Sequence, residues 1–144
     1  MNAAEIYEMM TNIGYFALAT EEGDQPRVRN MMLYKADSDG IVFHTGTFKE
    51  IYGQIAKNPK AELCFYDPAK GLQIRVSGAL EMLDDNALKE EISSHPSRVF
   101  LQGWKNSVSR EEFYQNFIVF RLKGGKAVVW TMETNMAPKA EIAL

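Results

Sequence analysis

The chain has 144 residues with a formal net charge of −3, and 46% of its residues are hydrophobic. This length suits a single domain with a sizeable core, and the composition excludes intrinsic disorder. Because 16 basic residues stand against 19 acidic ones, no overall basic field favours nucleic acid as a partner.

Signals for a membrane, an oxidising compartment or a metal are weak. The first ten residues contain Glu5 and Glu8 but no basic residue, and no apolar run reaches the ~18 residues of a membrane span. The single Cys64 excludes an intrachain disulfide, and the 2 histidines lack the spacing of metal ligands. We expect a cytoplasmic protein with neither a membrane segment nor a metal site.

A short helix and three strands are predicted for the first third of the chain. Asn2 and Glu5 form a capping-box pattern for the helix, which ends near Gly14. The strands are predicted at residues 15–20, 26–34 and 41–45. Because turn residues separate them closely, we expect these strands to pair in chain order as an antiparallel meander.

A change of hydrophobic period then indicates a helix. Thr47 and Glu50 form a second capping box, and Asn58-Pro59 ends the helix that it starts. Further strands are predicted at residues 61–66, 72–83, 117–123 and 126–132, and further helices at 84–95 and after Ser109.

Glycines mark two special points in the later strands. Gly78 inside a strand indicates a bulge or a close approach of another backbone, and Gly124-Gly125 predicts a tight final hairpin. With about seven short strands, a mainly β fold is favoured, an antiparallel barrel with peripheral helices. We expect one domain over residues 1–144, in which 133–144 lack a core pattern and form an extended or mobile tail.

Two arginines share one face of the second predicted strand. The pleat places Arg27 and Arg29 on one side and Val28 and Asn30 on the other. The arginines either form a solvated face or bind an anion or polar ring through their planar guanidinium groups.

The segment between the third strand and the next helix has the composition of a phosphate-binding loop. Gly46 permits close approach of the backbone, and Thr45 and Thr47 supply hydroxyls. Lys49 places a positive charge where the helix dipole disfavours one unless an anion is near. Alternatively, Thr47 caps its own helix and Glu50 neutralises Lys49.

Three polar residues and two tryptophans are further candidates. Gln73, Arg75 and Ser77 share a strand face, which either lines a polar cavity or is an ordinary exposed face. Trp104 and Trp130 either stack on a ligand or lie in the core.

The chain resembles the FMN-binding split-barrel family related to pyridoxamine 5′-phosphate oxidase. Four segments carry the resemblance in order: GYFALAT, PRVRNMML, FHTGTFK and LQIRVSGAL. It extends from Ile13 to about Leu83 and, more loosely, through Trp130. The resemblance implies a six-stranded antiparallel split β-barrel that forms a homodimer, with FMN in a cleft between the subunits.

The resemblance also implies a set of cofactor-binding residues. They are Arg27, Val28, Arg29 and Asn30 along the flavin ring and ribityl chain, His44, Thr45, Thr47 and Lys49 at the ribityl and phosphate groups, Gln73 at the ring edge, and Trp130, which would reach FMN from the partner subunit.

Two departures from the family pattern bear on the cofactor and the substrate. Thr47-Phe48-Lys49 stands where the oxidases have Ser-Arg-Lys, so one phosphate-binding arginine is missing and Arg27 or Arg29 would substitute. No Arg-x-His substrate signature follows Trp130, so we do not expect pyridoxamine phosphate as the substrate.

The resulting hypothesis is an FMN-dependent oxidoreductase for an unidentified small substrate, with NAD(P)H as a candidate electron donor. Arg29 and Gln73 are the candidate donors toward the pyrimidine edge of the flavin. Residues 84–115, with Phe100, Trp104 and Phe113, are the candidate substrate-selective wall.

No histidine has the neighbouring nucleophile of a catalytic triad, so no catalytic side chain is assigned. The alternatives are a non-catalytic flavin carrier, a stress-related or redox-sensing protein, and a branch that binds haem or a deazaflavin.

Overall fold

The computed structural model describes residues 1–144 as strands interrupted by short helices. The helical elements are α1 (Ala3–Ile13), α2 (Glu50–Lys57), α3 (Asn86–Ser94), a 3-10 helix (Pro96–Leu101), α4 (Gln102–Ser107) and α5 (Arg110–Asn116). The strands are β1 (Tyr15–Glu22), β2 (Gln25–Met32), β3 (Lys35–Asp37), β4 (Gly40–Gly46), β5 (Lys60–Asp67), β6 (Leu72–Met82), β7 (Phe117–Leu122), β8 (Lys126–Thr131) and β9 (Ile142–Ala143). None of the helices has the length and apolar character needed to cross a membrane.

The strands follow the order β2–β1–β5–β6–β7–β4–β3, and every pairing is antiparallel. The predicted mainly β, split-barrel fold with peripheral helices is confirmed. The sheet does not close, because β2 pairs only with β1, whereas β4 pairs with β3 and β7.

The predicted meander is wrong at its third strand. The strand predicted over residues 26–34 ends at Met32, and the chain then crosses from β1 to β4. Leu33 N donates to Gly14 O beside β1, but Tyr34 N donates to Val42 O in β4. This crossing leaves the outer edge of β2 unpaired and facing β4, so the barrel is split at this point.

The predicted final hairpin is also wrong. β7 and β8 do not pair with each other but lie end to end along one edge of β6. Gly78 falls between the two pairing regions, where an added Cβ would lie 3.2 Å from Leu122. At Gly125 an added Cβ would lie 2.7 Å from Val76, so the connection needs glycine to pass over β6.

The two predicted helix caps have different outcomes. At α1 the capping box is confirmed, since Asn2 Oδ1 accepts from Glu5 N at 2.9 Å and Glu5 accepts from Asn2 N at 2.8 Å. At α2 it is wrong, because Lys49 occupies the cap position and makes no side-chain bond. The Thr47 hydroxyl instead donates to Asn116 Oδ1 at 2.6 Å, a partner that is distant in sequence.

The main core lies inside the barrel, and α1 and α2 contribute to it. A smaller core packs α3 and α5 on the outer face of β4 and β7, through residues such as Ile92, Phe113 and Val119. The C-terminal residues turn back after β8, where β9 pairs with β8 and Ile142 contacts the main core.

Candidate functional site

A cleft of about 750 Å³ opens at the split between β2 and β4. The start of α2 and the helical residues 100–104 form its other walls. The lining residues are Arg29, Asn30, Met31, Met32, His44, Thr45, Gly46, Phe48, Lys49, Glu50, Ile51, Phe100, Leu101 and Trp104. The cleft therefore brings together five of the residues predicted to bind a cofactor, namely Arg29, Asn30, His44, Thr45 and Lys49.

The edge of β2 supplies backbone groups to the cleft. Because β2 pairs with β1 on one side only, alternate N–H and C=O groups along its other side have no strand partner. Asn30 and Met32 lie on this strand at the cleft. The edge can bond to a flat ligand that carries both donors and acceptors.

Arg29 is held at the cleft by neutral groups. Its guanidinium donates to Thr20 Oγ1 at 2.7 Å and to Gln54 Oε1 at 2.5 Å. Burial lowers the pKa of Arg29, although an arginine stays charged at neutral pH. The nearby charge of Glu50 opposes this lowering of the pKa, but no carboxylate forms an ion pair with Arg29, so the guanidinium can contact an anion directly.

Lys49 is the second cation at the cleft. It is exposed, and neither Glu50 nor any other carboxylate forms an ion pair with it. Arg27 differs from both, since its Nη2 lies 3.0 Å from Glu22 Oε1 and it does not line the cleft. Arg29 and Lys49 are thus the cations suited to hold a phosphate group here.

His44 lies in the wall of the cleft against a buried arginine. Its Nε2 accepts a hydrogen bond of 2.9 Å from Arg98 Nε, and its ring packs 5.1 Å from Phe117. Burial and then the charge of Arg98 lower the pKa of His44 from 6.5 to about 4. The imidazole is therefore neutral at physiological pH.

Aromatic side chains form one wall. Phe48 is 68% exposed and packs edge-on against Trp104, with the ring centroids 5.2 Å apart. Gly46 makes room for this ring, since a Cβ there would lie 2.5 Å from it. Phe100 also lines the cleft, whereas Phe113, from the same predicted wall, lies in the smaller core.

The remaining predicted residues lie elsewhere. Thr47 bonds to Asn116 beside the cleft, and Val28 points outward from β2 with 70% exposure. Gln73 and Trp130 are cross-strand neighbours on β6 and β8, on the outward face of the sheet. Within one chain, these two residues do not meet the cleft.

Sequence reasoning missed Arg98 and Phe48 as residues of the site. Arg98 is 3% exposed and comes from a helical segment 54 residues beyond His44 in the chain. The one sequence signal for Arg98 is that apolar residues follow it directly in the chain. For Phe48, the sequence indicates only that it replaces an arginine of the family pattern.

Comparison with known proteins identifies a family that matches most of the chain. A family model described as pyridoxamine 5′-phosphate oxidase matches residues 3–128. A pyridoxine/pyridoxamine 5′-phosphate oxidase of Maricaulis maris is 35% identical over 95 residues, which cover 65% of this chain and 43% of that protein. The chain thus spans about half the length of the curated relatives that it matches.

Solved structures share the fold over nearly the whole chain. A NimC/NimA family protein from Clostridium acetobutylicum has a TM-score of 0.74 and 26% identity, covering 97% of this chain and 91% of that chain. A pyridoxamine 5′-phosphate oxidase-related, FMN-binding protein from Nostoc punctiforme has a TM-score of 0.62 and 18% identity, covering 97% and 94%. A haem-binding protein from Mycobacterium smegmatis has a TM-score of 0.69 and 16% identity, covering 99% and 58%. Given the family match over most of its length, this chain belongs to the pyridoxamine 5′-phosphate oxidase family.

Proposed function

We propose that this protein is an FMN-binding oxidoreductase that acts on a small substrate other than pyridoxamine phosphate. The observation that carries the proposal is the pair of cations, Arg29 and Lys49, that line one cleft together with Glu50 but form no ion pair with its carboxylate. Family membership and an FMN-binding relative of the same fold support the choice of FMN.

The donor set of the cleft fits the chemistry of FMN. Arg29 and Lys49 would hold the phosphate through charge-assisted hydrogen bonds. The free edge of β2 would bond to the donors and acceptors along the flavin, and His44 and Thr45 would bond to the ribityl oxygens. When bound, FMN supplies the hydride and electron chemistry. The residues of the chain bind FMN and orient it.

The aromatic wall is the proposed boundary for the substrate. Phe48, Phe100 and Trp104 face the cleft with large apolar surfaces. Such surfaces exclude water and favour a flat or apolar partner.

NAD(P)H is the proposed electron donor, and steady-state reduction of the bound flavin by NAD(P)H measures this directly.

We also propose a homodimer with the cleft at the subunit interface. The outward face of the sheet is not covered by a helix and exposes large apolar residues, among them Tyr15, Val28, Met32 and Tyr66. A contiguous exposed apolar surface is typical of a protein interface. On this face, Gln73 and Trp130 would reach the cleft of the partner subunit.

The test of cofactor binding is an equilibrium titration of the purified protein with FMN, followed by flavin fluorescence. Lys49→Ala should weaken FMN affinity by about ten- to a hundredfold, because a charge-assisted hydrogen bond contributes roughly 1.5–3 kcal/mol. Lys57→Ala is the matched control, since Lys57 is exposed at the other end of α2 and does not line the cleft.

Three results would contradict the proposal. They are a wild-type protein that does not bind FMN, equal affinities for Lys49→Ala and wild type, and a purified protein with the Soret band of haem. A protein that binds FMN, yet whose flavin no nicotinamide or dye reduces and reoxidises catalytically, would be a flavin carrier or sensor instead of an enzyme.

A further inference from the structure

Arg98 is a buried cation beside the cleft without a carboxylate partner. Its Nη2 donates to Leu33 O at 2.8 Å and its Nη1 to Ser97 Oγ at 3.0 Å. The ring of Tyr34 lies 5.4 Å from the guanidinium carbon. These partners are neutral, so they hold the guanidinium in a fixed direction without cancelling its charge.

The remaining bond of Arg98 determines where the proton of His44 lies. Arg98 Nε donates to His44 Nε2, and a guanidinium N–H can only donate. Nε2 therefore accepts and carries no proton. In a neutral imidazole the single proton then belongs to Nδ1.

The other ring nitrogen of His44 is free. Nδ1 makes no hydrogen bond within the protein, and no buried side-chain nitrogen or oxygen lacks a partner. Nδ1 is therefore accessible, and His44 is part of the cleft wall. An accessible N–H at this wall can donate to a ligand.

We infer that Arg98 is a positioning residue that holds His44 as the neutral Nδ1–H tautomer and so supplies the cleft with one fixed hydrogen-bond donor. The ligand atom that fits this donor is an oxygen acceptor, such as a carbonyl, hydroxyl or phosphate oxygen. The tautomer does not depend on a ligand, whereas the use of the donor by a bound cofactor or substrate rests on the proposed function.

The charges around His44 come from several elements. Arg98 approaches from the 3-10 helix, Arg29 lines the cleft from β2, and Lys49 and Glu50 line it from the start of α2. The strand partner of His44 is the apolar Val119. Arg98 alone bonds to the ring, and the lowered pKa of His44 agrees with a nitrogen that cannot accept a proton.

The test is side-chain nitrogen NMR of uniformly ¹⁵N-labelled protein without added ligand, from pH 5 to 8. The chain has 2 histidines, so a His95→Gln sample assigns the signals of His44. The expected spectrum has a protonated Nδ1 and an unprotonated Nε2 across the range. A protonated Nε2, or a charged ring within this range, would overturn the inference.

Substitutions of Arg98 separate positioning from mere packing. Arg98→Met keeps an apolar stem but removes the donor, so His44 should become a mixture of tautomers with its pKa raised by about one unit. Arg98→Lys retains an N–H donor and should restore the Nδ1–H form. A folded Arg98→Met protein with an unchanged His44 spectrum would refute the inference. If Arg98→Met does not fold, the wild-type spectrum decides.

Different experimental results refute the role of Arg98 and the proposed function. A fixed Nδ1–H tautomer in a protein that does not bind FMN refutes the proposed function and supports the role of Arg98. FMN binding by a protein whose His44 carries its proton on Nε2 refutes the role of Arg98 alone.

Discussion

Arg27 and Arg29 lie two residues apart on β2 but have different surroundings. Arg27 pairs with Glu22, and both side chains are about half exposed. Arg29 bonds only to neutral groups and lines the cleft. The sequence predicted that the two share a face, but it could not distinguish their partners, because Thr20 and Gln54 reach Arg29 only through the fold.

We predict that Arg29 substitutes for the phosphate-binding arginine missing at Phe48. Arg29→Met should weaken FMN binding by about ten- to a hundredfold, the contribution of a charge-assisted hydrogen bond. Arg27→Met is the control and should change FMN affinity by less than about threefold, because Arg27 pairs with Glu22 and does not line the cleft. Titration by flavin fluorescence measures both, and a larger loss for Arg27→Met would reverse the assignment.

His44 should make the stability of the protein depend on pH. Its pKa is lowered from 6.5 to about 4, so between these values the unfolded chain binds more protons than the folded protein. The free energy of unfolding should therefore fall as the pH falls from 6.5 to 4. Urea unfolding at pH 7 and pH 4.5 measures the fall, which should be smaller in His44→Gln. An equal fall in both proteins would contradict the prediction.

The helices α3, α4 and α5 are joined by one carboxylate. Glu90 accepts hydrogen bonds from Tyr114 at 2.6 Å and from Lys105 at 3.0 Å, and it also pairs with Arg110. These bonds, first that of Tyr114, lower the pKa of Glu90 from 4.5 to about 2. This network holds the helical segment that carries Phe100 and Trp104 to the cleft.

Replacing Glu90 should therefore destabilise the helical segment. We expect Glu90→Gln to cost about 1–2 kcal/mol at pH 7, a modest loss because the carboxylate is half exposed. The contribution of Glu90 is present above about pH 4.5 and is lost as the pH falls toward 2, so the two proteins should converge in acid. Urea unfolding compares them, with Glu111→Gln as the control for an exposed glutamate on α5. Equal losses in both variants would contradict this role.

Local signals predicted the elements better than their pairing. The cap of α1 is confirmed, because all its groups lie within four residues of the chain. The cap of α2 is wrong, because Thr47 has a partner on α5 that local sequence cannot reveal. The final hairpin is wrong because β6 offers one long edge to both β7 and β8.

The cleft forms where the barrel is split, between β2 and β4. The split-barrel architecture followed from the strand pattern and the family resemblance, although the sheet has nine strands where the resemblance implies six. The position of the split did not, since it depends on the change of partner at residues 33–34. Lys49 was predicted from local composition and His44 from the family resemblance, whereas Arg98 reaches His44 only through the packing of the helical segment.

The proposed dimer can be tested on the outward face of the sheet. Ala17 lies at the centre of this face, between Asn30 and Cys64 on the neighbouring strands. Ala17→Glu should convert a dimer to a monomer, because a carboxylate would be buried between the subunits. Ala87→Glu, on an exposed position of α3, should remain dimeric. Sedimentation velocity measures both, and a monomeric wild type or a dimeric Ala17→Glu protein would contradict the proposal.

Cofactor binding at the cleft can be observed directly in a crystal structure of the protein grown with excess FMN. We expect the phosphate to lie within hydrogen-bond distance of Arg29 and Lys49, and the flavin to lie along the free edge of β2. A cleft without FMN at saturating concentration, or FMN bound with its phosphate away from both cations, would contradict this expectation.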